Sequence, residues 1–155
     1  MSKTPKTPKG KARAMALKHG YRSGLEDSNA KLLKKRKVPF EYEKHKIKWL
    51  DSKMRKYTPD FLLPNGILIE TKGRFTVADR RKHLEIKKQY PELDIRFVFT
   101  NPNAKLSKVS NTTYAQWCKR YGFRYARQEI PQEWIDERKE DYEREAIQEC
   151  FDSVR

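Results

Sequence analysis

Two short apolar runs on either side of a turn signal set the first limit on how this chain can fold: Tyr57 to Leu63, then Pro64-Asn65-Gly66, then Ile67 to Lys72. Pro, Asn and Gly supply the fixed and positive φ values that a tight connection needs, so the segment reads as a β-hairpin. With a three-residue loop, Leu63 lies opposite Ile67, and counting back along the ladder sets Asp60 opposite Glu70. Opposed residues of an antiparallel pair have Cβ atoms roughly 4.5 to 5.5 Å apart on one face of the sheet. Lys72 shares that face with Glu70, because side chains alternate with a period of two. Two carboxylates and a lysine are thus expected to converge.

Like charges placed opposite one another among Phe61, Leu62, Leu63, Ile67 and Ile69 destabilise a fold unless something positive sits between them. A divalent cation does that. Oxygen-only ligands favour Mg2+ or Mn2+ over zinc, and a six-coordinate hard cation keeps several waters. Such a site can activate water against a phosphodiester, with Lys72 positioning the water or helping to deprotonate it. The plainer reading gives each acid a Lys or Arg partner on a solvated face, with Lys72 as one of them.

Elsewhere helices and strands alternate. Ser23-Gly24-Leu25-Glu26 has the Ser-x-x-Glu form of a capping box, in which Glu26 would bond the Ser23 amide. Leu25, Leu32 and Leu33 share a face, so a helix is expected from Ser23 to about Lys37, before Pro39. Phe40, Tyr42, Ile47 and Trp49 predict a strand over 39–49, with Glu41 facing away from Phe40 and Tyr42. Thr76 is a candidate cap for a basic helix over about 77–90, and Leu93 to Thr100 reads as a buried strand. Thr112 or Thr113 opens a helix that Gly122 ends, Phe123 to Ala126 is a short strand, and Pro131 opens a last helix through Trp134 and Ile135.

The order αβββαβαβα describes an α/β fold, a mixed sheet flanked by helices. The 155 residues suffice for one domain with tails. A flexible basic arm is expected over 1–20, the domain over 21–135, and an acidic tail over 136–155, into which the last helix can continue.

The net charge of +15 is uneven. Residues 1–20 hold six bases and no acid, whereas residues 136–155 hold eight acids and four bases, so everything before Asp136 carries +19. Such a body suits a polyanion whose counterions it displaces, and nucleic acid is the leading partner. Phosphate contact is expected from Arg80, Arg81, Lys82, Lys87 and Lys88 on the basic helix and from Lys9, Lys11 and Arg13 in the arm. A solvated helix face and an inert tail are the plainer readings.

No apolar run approaches membrane-spanning length and no signal-peptide core follows Met1, so no membrane partner is expected and the chain reads as cytoplasmic. Cys118 and Cys150 are isolated, which points away from a disulfide framework or a zinc site. Trp49, Trp117 and Trp134 are expected in the core, while His19, His45 and His83 lack ligand spacing.

Pro59-Asp60, nine further residues, and Glu70-Thr71-Lys72 look like the PD-(D/E)xK signature of restriction-endonuclease-like nucleases. Here the signature lies within Tyr57-Thr58-Pro59-Asp60-Phe61-Leu62-Leu63-Pro64-Asn65-Gly66 and Glu70-Thr71-Lys72-Gly73. Upstream stand Arg22-Ser23-Gly24-Leu25-Glu26-Asp27 and Phe40-Glu41-Tyr42-Glu43, and downstream Arg80-Arg81-Lys82-His83-Leu84 and Tyr90-Pro91-Glu92-Leu93-Asp94-Ile95-Arg96. From about Arg22 to Ile135 the chain resembles the T7-type bacteriophage endonuclease I family, enzymes that resolve Holliday junctions.

That resemblance implies a restriction-endonuclease-like nuclease domain over 21–135, a domain-swapped homodimer whose sites draw on both chains, and branched DNA, above all four-way junctions, as substrate. It implies catalytic roles for Glu26, Glu41, Asp60, Glu70 and Lys72. It further implies two Mg2+ or Mn2+ ions per site, one held by Asp60, Glu70 and the Thr71 backbone carbonyl and a second by Asp60 and Glu26, with no small-molecule cofactor. Host-cell cytoplasm follows for a phage-encoded chain. Two departures stand out: the bridge segment around Leu50 to Met54 lacks proline and is short, and the tail after Asp136 is acidic where basic residues are expected. A nuclease of the same chemistry acting on linear or nicked duplex, or a non-catalytic DNA-binding factor on the same scaffold, are the competing readings.

Overall fold

The structure, a computed structural model, describes residues 7–138 and 141–152. The first six positions of the expected arm, and positions 139–140 and 153–155 of the expected tail, lie outside the described residues. Helix α1 (Pro8–Lys18) comes first, capped by the Thr7 hydroxyl, which accepts from the Gly10 amide. An unstructured arm was expected here; the helix forms because it has something to dock on. Ala16 is wholly buried, packing with Tyr21, Ala30 and Leu33, and His19 Nδ1 stands 2.9 Å from Asp27 Oδ1 of the next helix.

Helix α2 (Gly24–Lys35) starts at Ser23, whose hydroxyl accepts from the Glu26 amide. The expected strand over 39–49 is two strands, β1 (Glu41–Tyr42) and β2 (Ile47–Leu50), and they belong to different sheets. Between them Glu43 takes a left-handed φ of 46°, which breaks the extended run. The run from Tyr57 divides as well. β3 (Met54–Tyr57) pairs with β2 through the turn after Leu50, and β4 (Phe61–Leu62) begins only after Pro59 and Asp60.

β4 and β5 (Leu68–Lys72) form the predicted hairpin in the predicted register, Phe61 opposite Ile69 and Leu62 opposite Leu68. Gly66 supplies a φ of 84° at the turn. Asn65 ties the turn to the distant chain, its Nδ2 donating to the Trp134 and Glu137 carbonyls.

Helix α3 (Val77–Gln89) begins with a full capping box between Thr76 and Asp79, and β6 (Ile95–Phe99) is buried throughout. Helix α4 (Tyr114–Tyr121) runs from Thr113 to a left-handed Gly122. β7 (Arg124–Arg127) and α5 (Gln132–Asp136) follow. The expected single last helix is two, because Glu137 is extended, and α6 (Asp141–Asp152) forms separately.

The main sheet has the order β1-β4-β5-β6-β7, antiparallel up to β5 and parallel from β5 to β7, so it is mixed, as expected. Alternate residues of its central strands feed two cores. Leu68, Ile95, Phe97 and Phe99 pack with Ile86 of α3 and with Trp117 and Cys118 of α4. On the other side Phe61, Ile69 and Val98 pack with Ala30, Leu33, Ile130 and Trp134. A sheet covered on both faces explains why β6 shows no polar alternation.

Arg96 is the exception in its sequence, yet it is fully buried: it bonds both oxygens of Asp94 and both of Glu137 at 2.6–2.9 Å. The three tryptophans are buried, as are Cys118 and Cys150, and the Cys150 thiol donates to Glu92 Oε1 at 2.9 Å. Among the described residues no helix is long and apolar enough to cross a membrane.

Candidate active site

Pro59 has no amide hydrogen to give a ladder, and after it the chain bends at Asp60 instead of continuing as a strand. Asp60 therefore does not sit in the ladder opposite Glu70, as strict pairing required. Its side chain reaches the free edge of β5, where Oδ2 accepts from both the amide and the hydroxyl of Thr71, each at 2.8 Å. Only 4% of Asp60 and 4% of Glu70 is exposed. Burial, first, and the neighbouring Glu70 charge, second, push the Asp60 carboxyl up to about 8, with Glu26 adding to the effect. The two hairpin acids and Glu26 thus feel one another within a single chain.

Glu70 and Lys72 share a face of β5, as alternation predicts, with Lys72 Nζ 3.3 Å from Glu70 Oε1. Lys72 is also bound to Asp79 Oδ1 at 3.1 Å. Burial of Lys72 works against its ammonium, but Glu70 and Asp79 more than offset this and its pKa is raised, so the lysine is a stable cation. Asp79 was not foreseen in this place. Its role in the Thr76 capping box was open to inspection, and the same carboxylate, at the start of α3, reaches back to the site lysine.

The second oxygen of Glu70, Oε2, accepts from the hydroxyl of Tyr57 at 2.8 Å. Tyr57 is 2% exposed, and burial together with the Glu70 charge pushes its own pKa well above the usual phenol value. His83, wholly buried, stands edge-on to Tyr57 with ring centres 5.2 Å apart. Burial lowers its pKa to about 4, so it is neutral near pH 7.

Glu26 completes only half of the expected capping box. Ser23 caps the helix, but the Glu26 carboxylate passes by the Ser23 amide: Oε2 accepts from the Arg22 amide at 3.1 Å and from the Tyr42 hydroxyl. Glu41 stands apart. Its carboxylate takes Lys44 and His45, whose hydrogen bonds hold its pKa low.

Among the described residues no three His, Cys, Asp or Glu side chains close on one point as a ready cage for an ion. A hard six-coordinate cation needs no such cage, since it keeps waters and takes one or two carboxylates. The donor set here is oxygen throughout: the Asp60 and Glu70 carboxylates and the Thr71 carbonyl. A strand residue aims its amide and carbonyl at the same neighbour. The Thr71 amide meets Asp60 beyond the end of β4, so its carbonyl points to the same unpaired side. These residues fit a magnesium-like ion chemically.

The basic residues separate into groups. Arg81 bonds Asp51 at 2.6 Å and, with Lys88, borders the β2–β3 tip. Lys82 lies over the Tyr57 ring, 5.2 Å from its centre, close behind Glu70. Arg80 donates to the Phe75 carbonyl, and Lys87 to the Gly122 carbonyl at the far end of α3, so these two do not share the face of the others. Lys9 faces Arg74, Gly73 and Ser23 across a groove next to the site, whereas Lys11 and Arg13 are exposed on α1. Arg74 was missed in the sequence, where it lies outside the basic helix.

Residues 9–152 match the family described as Phage endonuclease I. The chain is 48% identical to Endonuclease I of Escherichia phage T7 over 122 residues, 78% of this chain and 82% of that protein. It is 47% identical to Endodeoxyribonuclease 1 of Enterobacteria phage T3 over 122 residues, 78% of this chain and 80% of that protein. With a family match over nearly all of its length and two such relatives, this chain belongs to the phage endonuclease I family.

Proposed function

We propose that this chain is a Mg2+-dependent endodeoxyribonuclease that resolves four-way and other branched DNA junctions by paired phosphodiester hydrolysis in the host-cell cytoplasm. The observation that carries the reading is the buried acid pair Asp60 and Glu70 beside a protonated Lys72. Glu70 is paired with Lys72, but Asp60 has no cationic partner among the described residues, and a nuclease uses such a carboxylate pair to hold a cation against phosphate. The names of the T7 and T3 relatives support the nuclease class.

In this reading Asp60, Glu70 and the Thr71 carbonyl hold one ion, and Asp60 with Glu26 a second. Mg2+, or Mn2+ in its place, supplies a Lewis acid and an activated water when bound. Lys72, held from behind by Asp79, stays charged and orients the attacking water or a phosphate oxygen. Lys9 and Arg74 on one side of the site, and Lys82, Arg81 and Lys88 on the other, lie where phosphates flanking the scissile bond would pass. Paired cuts need two sites at a fixed spacing, which a twofold homodimer provides.

The test is cleavage of a four-way junction and a matched linear duplex in Mg2+, with product mapping, by wild type and Asp60→Ala. Symmetric paired incision of the junction, lost in the variant, is the expected outcome. Equal cleavage of the linear duplex overturns junction resolution. Equal background cleavage by wild type and a folded Asp60→Ala overturns the active site itself.

A further inference from the structure

From Ile95 to Gln128 the chain runs for 34 residues with seven bases and no acid. Arg96 and Arg124 of this stretch are bound to Glu137, and Arg96 to Asp94 as well. The other five, Lys105, Lys108, Lys119, Arg120 and Arg127, are exposed and make no ion pair among the described residues. Exposed cations with no acid interspersed build a positive potential that attracts a polyanion.

Two of these cations stand on a loop directly beside the site. The parallel strands end level, Lys72 of β5 opposite Phe99 of β6 and Phe99 opposite Arg127 of β7, and the loop 101–113 leaves β6 at this end. Both of its ends are tied to the segment around the site lysine. The Thr100 amide donates to the Lys72 carbonyl at 3.2 Å, and the Phe75 amide donates to the Tyr114 hydroxyl at 3.2 Å. Thr100 also borders the groove that holds Lys9, Gly73 and Arg74. The foot of the loop is fixed, because the Ala104 and Pro102 carbonyls accept from the Tyr114 and Ala115 amides at 2.9 Å and Leu106 packs against the core. Above the foot Lys105 pairs with Thr113, and the Leu106 amide donates to the Thr112 carbonyl at 2.9 Å, which makes a narrow two-stranded ribbon. The Ser110 amide closes its tip on the Ser107 carbonyl and hydroxyl. Lys108 and Val109 lie at that tip, and Val109 is 95% exposed, so nothing in the chain covers it.

We propose that this ribbon is a DNA-gripping arm of the site: Lys105 and Lys108 take backbone phosphates of a duplex beyond those at the scissile bond, and the Val109 tip rests against that duplex. The inference rests on the nuclease reading above and adds the element that holds DNA on the β6 side of the site. The tip stands three residues beyond the Lys105–Thr113 pair, roughly 10 Å at the rise of a strand. A two-stranded ribbon is also narrow enough to lie in the major groove of a duplex. Because its foot and its turn are already hydrogen-bonded, the ribbon loses little freedom on binding, and its two charges act on phosphate with little ordering cost.

The experiment measures binding of the full chain to a four-way junction and to a linear duplex without Mg2+ over a range of salt, and then cleavage by saturating enzyme with Mg2+. Lys105→Ala with Lys108→Ala is expected to weaken binding about tenfold and to flatten the plot of log K against log salt by about 1.8, the slope of two phosphate contacts. Neither lysine touches the reacting atoms, so the single-turnover rate at saturation is expected to stay within about twofold of wild type. Lys119→Ala with Arg120→Ala removes the same charge at the opposite end of α4 and is expected to leave affinity and slope unchanged. Val109→Glu places an acid at a position that packs on nothing, and it is expected to weaken binding in the same direction as loss of the lysines. Equal weakening by the two double variants is a diffuse charge effect and overturns the proposal. So does an unchanged salt slope in the Lys105 and Lys108 variant, or wild-type affinity in Val109→Glu. If wild type binds neither DNA, the nuclease reading and this inference fail together. If wild type binds DNA and does not cleave it, the nuclease reading fails while the same binding ratios still decide the role of the loop. If wild type binds and cleaves, and the loop variants match it, only the present inference fails.

Discussion

Asp60 makes the stability of the metal-free chain depend on pH. Its carboxyl titrates at about 8 in the folded chain and at the ordinary aspartate value of 3.8 when unfolding exposes it. Between those values the folded chain holds a proton that the unfolded chain has released, so this residue's contribution to stability falls as pH rises through the window. Above pH 8 the ionised, buried acid costs on the order of 5 kcal/mol. A cation between Asp60 and Glu70 would remove that cost. The melting temperature of metal-free wild type is therefore expected to fall from pH 6 to pH 8.5 more steeply than that of Asp60→Asn, which has nothing to ionise. Mg2+ should raise the wild-type melting temperature more at pH 8.5 than at pH 6. Parallel melting profiles for the two proteins, measured by calorimetry across that range, would contradict the assignment.

At the level of elements, α1 is the sharpest difference between the sequence reading and the fold, and it can be tested as such. Ala16 is wholly buried against α2 while Met15 beside it is half exposed. Ala16→Asp places an unpaired charge in an apolar contact and is expected to cost about 2 to 3 kcal/mol, whereas Met15→Asp should stay within about 0.5 kcal/mol. Chemical denaturation of both variants checks this, and an arm that is not docked would leave the two equal.

Elements that carry their own local signals were legible. The register of the β4–β5 hairpin follows from Pro64-Asn65-Gly66, and the limits of α3 and α4 follow from Thr76, Thr113 and Gly122. The break at Pro59 was hidden because Tyr57, Phe61 and Leu63 keep one alternation through it, whereas the break at Glu43 left a signal that the single-strand reading passed over, a shift of the apolar residues from Phe40 and Tyr42 to the opposite phase at Ile47 and Trp49. Ile147, Cys150 and Phe151 of α6 join the core at helical spacing, a stripe that the acidic composition of the tail obscured. The convergence of Asp60, Glu70 and Lys72 could be reasoned from pairing. The donors Tyr42 and Tyr57 could not, because their partners are chosen by tertiary packing and not by spacing along one strand.

For the whole molecule, the question is how one chain could supply a site to another. Glu26 and Tyr42 precede the tip of the β2–β3 hairpin, and Asp60, Glu70 and Lys72 follow it. At that tip Leu50 is 54% and Met54 57% exposed, and polar contacts hold the turn to α3: Gln89 bonds the Leu50 amide and carbonyl at 2.7 Å, and Arg81 bonds Asp51. If the turn opens and two chains exchange the segments before it, each site keeps the contacts seen within one chain, but Glu26 then comes from the partner. This is the strand-exchanged dimer that the family resemblance implies, and it makes a prediction that the closed single chain does not. Glu26→Gln and Asp60→Asn are each expected to be inactive alone. Refolded together as an exchanged dimer, they form one site that has Glu26 from one chain and Asp60 from the other, both intact, and one site that has neither. Mixed dimers should therefore regain cleavage at one strand of a junction and not at both. Sites formed within each chain would leave every mixed dimer with two damaged sites, and co-refolding would restore nothing.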